Sequence, residues 1–370
     1  MRVLVAGGGT AGHVFPALAL ARRLVEDHGA DVRFAGTPSG QEATLVPAAG
    51  FTFDAVDARP LRRELSFRTL SAPFAALRSV SRCAPLVEGA EVVVGMGGYV
   101  SVPIGLAAAR AKRPLVLHEQ NALPGLANRM LSRRATTVAL TFAEAATRLP
   151  ARVRTVVTGN PVREEILAVT QTREALAAQA HAEVDLEPGR RTVVVFGGSQ
   201  GALHVNMATV DALSRLRERD DLQVLVLAGA SHEEDVRGRL GGLGGQVLVR
   251  VRGFLDRMEL AYAVADLVVA RAGATTCAEV AVCGLPSILV PYPHATGHHQ
   301  DANAHALERA GGAMVIADHE LDGAALASRI AGLLDDSATL ASMAQGARSW
   351  SRPDAAEALA AVVVAAGGSR

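Results

Sequence analysis

A short apolar strand that runs into a glycine-rich turn and then into a helix occurs at the start of this sequence and again near its middle. Val3–Ala6 leads into Gly7-Gly8-Gly9-Thr10-Ala11-Gly12-His13, and Thr192–Phe196 leads into Gly197-Gly198-Ser199-Gln200-Gly201-Ala202. Glycine permits the sharp turn at the strand end, and the helix then packs back on the sheet, so the unit belongs to a parallel βαβ crossover. The same alternation fills both halves. In the first, Val32–Ala35, Val92–Gly95, Leu115–His118 and Thr137–Leu140 are expected strands, separated by helical patterns such as Phe15–Asp27. In the second, Val224–Leu227, Val247–Arg250, Leu267–Ala270 and Ser287–Pro291 play that part. At 370 residues the chain is long for one ordinary domain. The expectation is an α/β protein of two Rossmann-like, doubly wound domains, with ligands outside the carboxyl ends of the strands where the domains face a cleft. The turn residues of Gly159-Asn160-Pro161-Val162 suggest the boundary, giving 1–158, 159–350 and a C-terminal helix, 351–370, that packs back on the first domain.

Composition removes several function classes. Lys+Arg and Asp+Glu both number 37, and aromatics make up 4%, so neither a basic footprint nor a stacking platform for nucleic acid is present. Cys83, Cys277 and Cys283 are too scattered for a disulfide framework and are expected as reduced thiols. The opening residues run straight into a strand, unlike a signal peptide. No apolar stretch reaches the ~20 residues that span a bilayer. One segment departs from the α/β pattern. Between Arg59 and Arg82, Phe67, Leu70, Phe74 and Leu77 recur at helical spacing among Arg59, Arg62, Arg63, Arg68, Arg78 and Arg82. Such a basic amphipathic stretch can lie on an anionic membrane, or it can be a solvated helix of its own domain.

Several loops carry polar groups where a ligand would sit. Gly7, Gly9 and Gly12 satisfy GxGxxG, but the second strand ends in Ala35-Gly36-Thr37 and lacks the acid that would hold a dinucleotide ribose. The loop and the helix start after it suit a phosphate or a developing oxyanion. His13, on the first helical turn, is either a general base or a structural hydrogen-bonder. Gly95-Met96-Gly97-Gly98-Tyr99-Val100-Ser101 invites close backbone approach. His118-Glu119-Gln120-Asn121, at a strand end, either meets sugar hydroxyls or caps the next helix. Gly197–Ala202 makes a diphosphate cradle with Ser199, and is not a P-loop because no Gly-Lys-Ser/Thr follows. The helix beginning near Thr275 offers N–H groups to a second phosphate. Glu279 either accepts the ribose hydroxyls or compensates the helix dipole. Gln300 and Asn303 could meet a sugar face. No Asp-x-Asp pair is present, so backbone dipoles and Arg163 are expected to neutralise the leaving group without a metal.

The segments GGGTAGHVFPALALA, GMGGYVSVP, HEQN, GNPVR, FGGSQGA, RAGATTCAE and PYPHATGHHQDANA closely resemble the MurG family of peptidoglycan glycosyltransferases, in glycosyltransferase family 28. They occur in the family's order and cover nearly the whole chain. The resemblance implies the GT-B architecture and inverting transfer of N-acetylglucosamine (GlcNAc) from UDP-GlcNAc to lipid I, the undecaprenyl-diphospho-N-acetylmuramyl pentapeptide, giving lipid II. It also implies no cofactor or tightly bound metal, attachment to the cytoplasmic face of the cell membrane through the Arg59–Arg82 region, and contact with cell-wall synthesis proteins. For the donor it implies Ser199 on the diphosphate with Ala274, Thr275 and Thr276 close by, Glu279 on the ribose, Leu255 backbone on the uracil, Gln300 and Asn303 on the sugar and Arg163 near the nucleotide. Thr10, Ala11, Gly12 and Asn121 would reach the donor sugar, and Gly97, Gly98, Tyr99 and Ser101 the acceptor diphosphate. Ala11 stands where many relatives have glycine. His298-His299 replaces a stretch that is often acidic or amide-bearing, which bears on the contacts near Gln300. His13 is the first candidate base and Glu119 the second. Another UDP-sugar GT-B transferase, a nicotinamide dehydrogenase and a non-catalytic subunit are the competing readings.

Overall fold

The computed structural model describes residues 1–56, 72–198 and 201–368, and the side chains of all these except 72–77. The chain divides into two compact units, one formed by 1–163 with 352–370 and the other by 164–351.

The first unit is built on a seven-stranded sheet: β1 (Arg2–Ala6), β2 (Asp31–Gly36), β3 (Thr52–Ala55), β4 (Val92–Gly95), β5 (Leu115–Glu119), β6 (Thr137–Leu140) and β7 (Thr155–Val157). Their spatial order is β3-β2-β1-β4-β5-β6-β7, every pair parallel. The second unit holds six strands: β8 (Arg191–Phe196), β9 (Leu222–Leu227), β10 (Leu248–Arg252), β11 (Leu267–Ala270), β12 (Ser287–Leu289) and β13 (Ala313–Val315). Their order is β10-β9-β8-β11-β12-β13, again all parallel. Both sheets reverse direction at one place, between β1 and β4 and between β8 and β11.

The central strands are continuous apolar runs because helices cover both their faces. Val3, Val5, Val92 and Val94 pack on one side of the first sheet with Leu18, Leu20 and Leu24 of the helix Ala11–His28. Leu4, Val93, Leu115 and Leu117 pack on the other with Ile104. In the second sheet Val193, Val195, Val224 and Val226 pack with Leu213 of the helix Leu203–Leu216 and Leu326 of the helix Gly323–Asp335.

All ten expected strands form. Three keep their expected bounds and the other seven shift by one or two residues at one or both ends, as in Leu248–Arg252 and Ser287–Leu289. The three strands not expected, β3, β7 and β13, are only three or four residues long and lie partly exposed at sheet edges. The division between the units falls after Arg163 rather than after 158. Residues 159–163 are tied to the first unit, since Gly159 N–H donates to Leu140 O (3.1 Å) and Arg163 stacks on the Phe15 ring (4.3 Å).

The helix Ala355–Gly368 also belongs to the first unit. Leu359, Ala360 and Val363 enter the β1–β2 core, and Glu357 lies 3.7 Å from Arg23. Most of the basic stretch, through residue 71, lies outside the described residues, and Phe67 and Leu70 with it. The helix Ala72–Gly89 follows. Its Arg78 and Arg82 are exposed, while Cys83 and Val87 are buried in the β4 core. Among the described residues, no helix is long and apolar enough to cross a membrane.

Leu359 is fully buried. Leu359→Ala should therefore destabilise the first unit by about 2–5 kcal/mol through lost apolar contact and a residual cavity. A lowered urea midpoint by circular dichroism would show this, and an unchanged midpoint would mean that the helix adds nothing to that core.

Candidate active site

At the reversal point of each sheet, two neighbouring strands send their following helices to opposite faces, which leaves a crevice at their carboxyl ends. In the first unit those strands are β1 and β4, which pair Ala6 with Gly95. The loops that follow them are two of the glycine-rich segments, and they touch. A side-chain carbon on Gly7 would come within 2.8 Å of Met96 Cβ, and one on Gly98 (φ +76°) within 2.8 Å of Gly8 O. Ser101 is buried, and its hydroxyl donates towards Gly97 O (2.7 Å) and Ala6 O (3.0 Å). It therefore braces the loop through both backbone oxygens. Gly98 and Tyr99 are half-buried.

His13 extends from the first turn of the helix Ala11–His28, beside the half-buried Ala11 and Gly12. Its Nδ1 lies 3.1 Å from Thr10 Oγ1. Its Nε2 edge stands over the second loop, 3.1 Å from where a side-chain carbon on Gly97 would be. Thr10, His13 and Gly97 thus form one place, with Thr10 exposed and His13 half-buried.

The polar end of β5 is built differently. His118 is fully buried and its Nε2 donates to Gly159 O at 3.0 Å. Burial, with a smaller contribution from the nearby His13, pushes its pKa down to about 4. Glu119 is buried as well. Its Oε1 accepts from Asn121 N–H (3.0 Å), and its Oε2 accepts from Gly125 N–H (2.9 Å) and Asn128 Nδ2 (2.8 Å). Burial raises its pKa against those donors. Both oxygens hold residues 121–128, so the carboxylate organises a turn. Asn121 is half-buried.

A carboxylate that the sequence reading passed over sits beneath the first loop. Glu42, from the helix Glu42–Ala48, accepts from Gly9 N–H (2.8 Å), Thr37 N–H (2.8 Å) and Thr37 Oγ1 (2.7 Å). Gly9 N–H is therefore already occupied, although the loop was expected to offer its N–H groups to a phosphate. The available signal was the set Gly8, Gly36 and Gly40, each of which would collide with Glu42 if it carried a side chain.

In the second unit the loops after β8 and β11 flank the reversal point. Ser199 lies outside the described residues. The helices Leu203–Leu216 and Ala274–Val282 follow those loops, and among the described residues neither has an acid in its first turn or a side-chain cap. Their N-termini present positive dipole ends at the carboxyl end of the sheet. Thr275 and Thr276 are half-buried, Ala274 is buried, and Leu255 is half-buried in the turn after β10. Glu279 is buried with its Oε2 accepting from Tyr262 OH at 2.9 Å. Gln300 Oε1 accepts from Tyr292 N–H at 2.9 Å. Asn303 is fully buried and donates to Ala272 O at 3.1 Å, which supports the β11 loop.

Arg271, quoted within a motif but given no role, braces this end of the sheet. Its buried guanidinium donates to Val290 O (3.2 Å), Pro291 O (3.1 Å) and Asp318 Oδ1 (2.5 Å), and Asp318 Oδ2 lies 3.1 Å from His204 Nδ1. An arginine at the end of an apolar strand was the available signal. His298 pairs with Asp301 (3.7 Å) while His299 Nδ1 meets Thr296 O (2.9 Å). Among the described residues, no group of three or more His, Cys, Asp or Glu could hold a metal ion.

Comparison with known proteins agrees with this architecture. Residues 3–140 match the glycosyltransferase family 28 N-terminal domain, and residues 192–359 its C-terminal domain. A relative from Halothermothrix orenii is 40% identical over 361 residues, 95% of each chain. One from Desulforudis audaxviator is 41% identical over 372 residues, 98% of each. Both are named UDP-N-acetylglucosamine–N-acetylmuramyl-(pentapeptide) pyrophosphoryl-undecaprenol N-acetylglucosamine transferase. The crystal structure of Acinetobacter baumannii MurG superposes with a TM-score of 0.79 at 29% identity, covering 98% of this chain and 99% of that one. A UDP-GlcNAc 2-epimerase from Neisseria meningitidis shares the fold alone, with a TM-score of 0.68 at 12% identity. Two sheets of the same strand order, with glycine-rich loops at each reversal point and relatives this similar over their full length, place the chain in glycosyltransferase family 28.

Proposed function

We propose that this chain transfers GlcNAc from UDP-GlcNAc to the 4-hydroxyl of N-acetylmuramic acid in lipid I, with inversion, and so makes lipid II for peptidoglycan synthesis. The observation that carries this reading is the name shared by relatives about 40% identical along nearly the whole chain. The geometry of the loops supports it. The second unit takes the donor. Ser199 and the helix N-termini at Leu203 and Ala274–Thr276 hold the diphosphate. Leu255 backbone reads the uracil, and Glu279, oriented by Tyr262, takes the ribose hydroxyls. Gln300 has one amide oxygen committed to Tyr292, so its NH₂ group is what it offers the sugar. Thr10, Ala11, Gly12, Asn121 and Arg163 complete the donor contacts. The first unit takes the acceptor diphosphate at Gly97, Gly98 and Tyr99.

The step is a direct displacement. The acceptor 4-oxygen forms a bond to the anomeric carbon, the bond from that carbon to the UDP oxygen breaks, and the acceptor proton passes to a base. His13 is the base in this reading. With its Nδ1 proton donated to Thr10 Oγ1, Nε2, on the ring edge beside Gly97, is the nitrogen that takes the proton in this reading. His118 and Glu119 are buried and committed to Gly159 and to the 121–128 turn. The chain would work at the cytoplasmic face of the membrane as a peripheral protein, attached through the basic stretch Arg59–Arg82 and beside other cell-wall synthesis proteins, and would serve cell shape and division.

Labelled UDP-GlcNAc incubated with a lipid I analogue should yield lipid II, with EDTA leaving the rate unchanged. Absence of product in both arms would remove the proposed activity, and loss with EDTA alone would remove its metal-free character. His13→Ala should lower kcat by roughly 10²–10⁴-fold, the usual contribution of a positioned base. Turnover at the wild-type rate with lipid I saturating would exclude His13 from that role.

A further inference from the structure

Glu42 is a buried acid with no part in the reaction as described so far. It is 1% exposed, although it begins a helix. A carboxylate is costly to bury unless hydrogen bonds replace its water. Here Thr37 N–H and Oγ1–H satisfy Oε1, and Gly9 N–H satisfies Oε2, at 2.7–2.8 Å. Gly8, Gly36 and Gly40 enclose the group, and no side chain could replace those hydrogens without displacing it.

What the carboxylate grips is the residue before Thr10. Gly9 takes φ +95°, a conformation suited to glycine, and turns its N–H inward to Glu42. Thr10 follows in extended conformation as the cap of the helix Ala11–His28, which has no acid in its own first turn. Thr10 Oγ1 then meets His13 Nδ1. The chain of contacts therefore runs from Glu42 through Gly9 and Thr10 to the imidazole at Gly97.

We propose that Glu42 is a positioning residue for the transfer: an internal anion that fixes Gly9 and Thr10, orients the His13 ring through them, and bars a ligand phosphate from Gly9 N–H. This rests on His13 being the proton acceptor. His118 also lies within electrostatic reach of His13, and burial keeps it neutral. Burial pushes the Glu42 pKa up, but the bonds from Gly9 and Thr37 outweigh it and hold the group below its ordinary value. The support it gives the loop is thus complete above the unfolded-state pKa and is lost as pH falls through the lower folded-state value.

The decisive experiment uses the full chain with isotope-labelled histidine. In the wild type, the NMR signals of His13, assigned by their absence in His13→Ala, should report the Nδ1–H tautomer. Glu42→Gln should weaken that preference and, by loosening the Gly9–Thr10 contact that orients the ring, move the His13 titration away from its wild-type value. It should also lower kcat about a hundredfold through misplacement, with KM for UDP-GlcNAc held within about twofold because uniform donor binding is untouched. A His13 titration and tautomer identical to wild type would overturn the proposal whatever the activity. Persistent turnover in His13→Ala would instead remove the base assignment, and the NMR result would still decide whether Glu42 sets the ring. Thr37→Val provides a second route if E42Q does not fold. It deletes one donor at 2.7 Å and keeps the charge, so the acid-side loss of the His13 tautomer should begin at higher pH than in wild type. An unmoved profile in that variant would also overturn the proposal.

Discussion

A parallel sheet covered on both faces must reverse the direction of its crossovers somewhere, and at that reversal two adjacent strand ends are left uncovered. This chain does so twice with the same order, β3-β2-β1-β4 and β10-β9-β8-β11. The four loops richest in ligand-like chemistry follow the four strands at these two points. Their glycines are needed because the loops lie backbone against backbone: Gly98 against Gly8 of the neighbouring loop in the first unit, and Gly201 (φ +75°) against Ala228 O, just past the end of β9, in the second. Once the strand order is fixed, the place where a substrate can enter each unit is fixed with it.

The two reversal points differ in how their charge is managed. In the first unit an acid is drawn in, since Glu42 occupies Gly9 N–H beside the start of the helix Ala11–His28. In the second a base is drawn in, and Arg271 ties the ends of β11 and β12 to Asp318. Asp318 is partly buried, yet its bonds from Arg271 and His204 hold its pKa below the ordinary value. An internal anion lowers the appetite of a helix start for an external one, whereas helix starts without a capping acid retain it. The two glycine-rich loops thus share a grammar but not a charge balance: Gly9 N–H is occupied by an internal anion, and the helix starts at Leu203 and Ala274 carry no acid in their first turn.

The central strands were legible because burial on both faces leaves uninterrupted β-branched runs. β3, β7 and β13 were not, because three or four residues at a partly exposed sheet edge make too short a pattern to mark a strand. Site residues divide in a similar way. Positions on the loops themselves, such as Thr10, His13 and Gly97, are legible from strand-end chemistry. Ser101, Asn303 and Glu119 have the same residue types but point inward to backbone groups, and only the fold shows which way a polar side chain at a strand end turns. Glu42 and Asp318 arrive from elements that follow other strands, so no local spacing joins them to the loops they hold.

The sequence match to a dinucleotide fingerprint is resolved by the same contrast. That fingerprint needs a free loop N–H for a pyrophosphate and an acid that turns outward to a ribose. This chain has an acid beyond its second strand, but Glu42 turns inward and takes Gly9 N–H for itself. One carboxylate thus removes both requirements at once, by filling the phosphate position and by leaving the ribose position empty. What remains at the surface of the loop is Thr10 and His13, a hydroxyl and an imidazole set against a glycine backbone. That surface presents groups able to exchange a proton, while Gly9 N–H is already taken by Glu42.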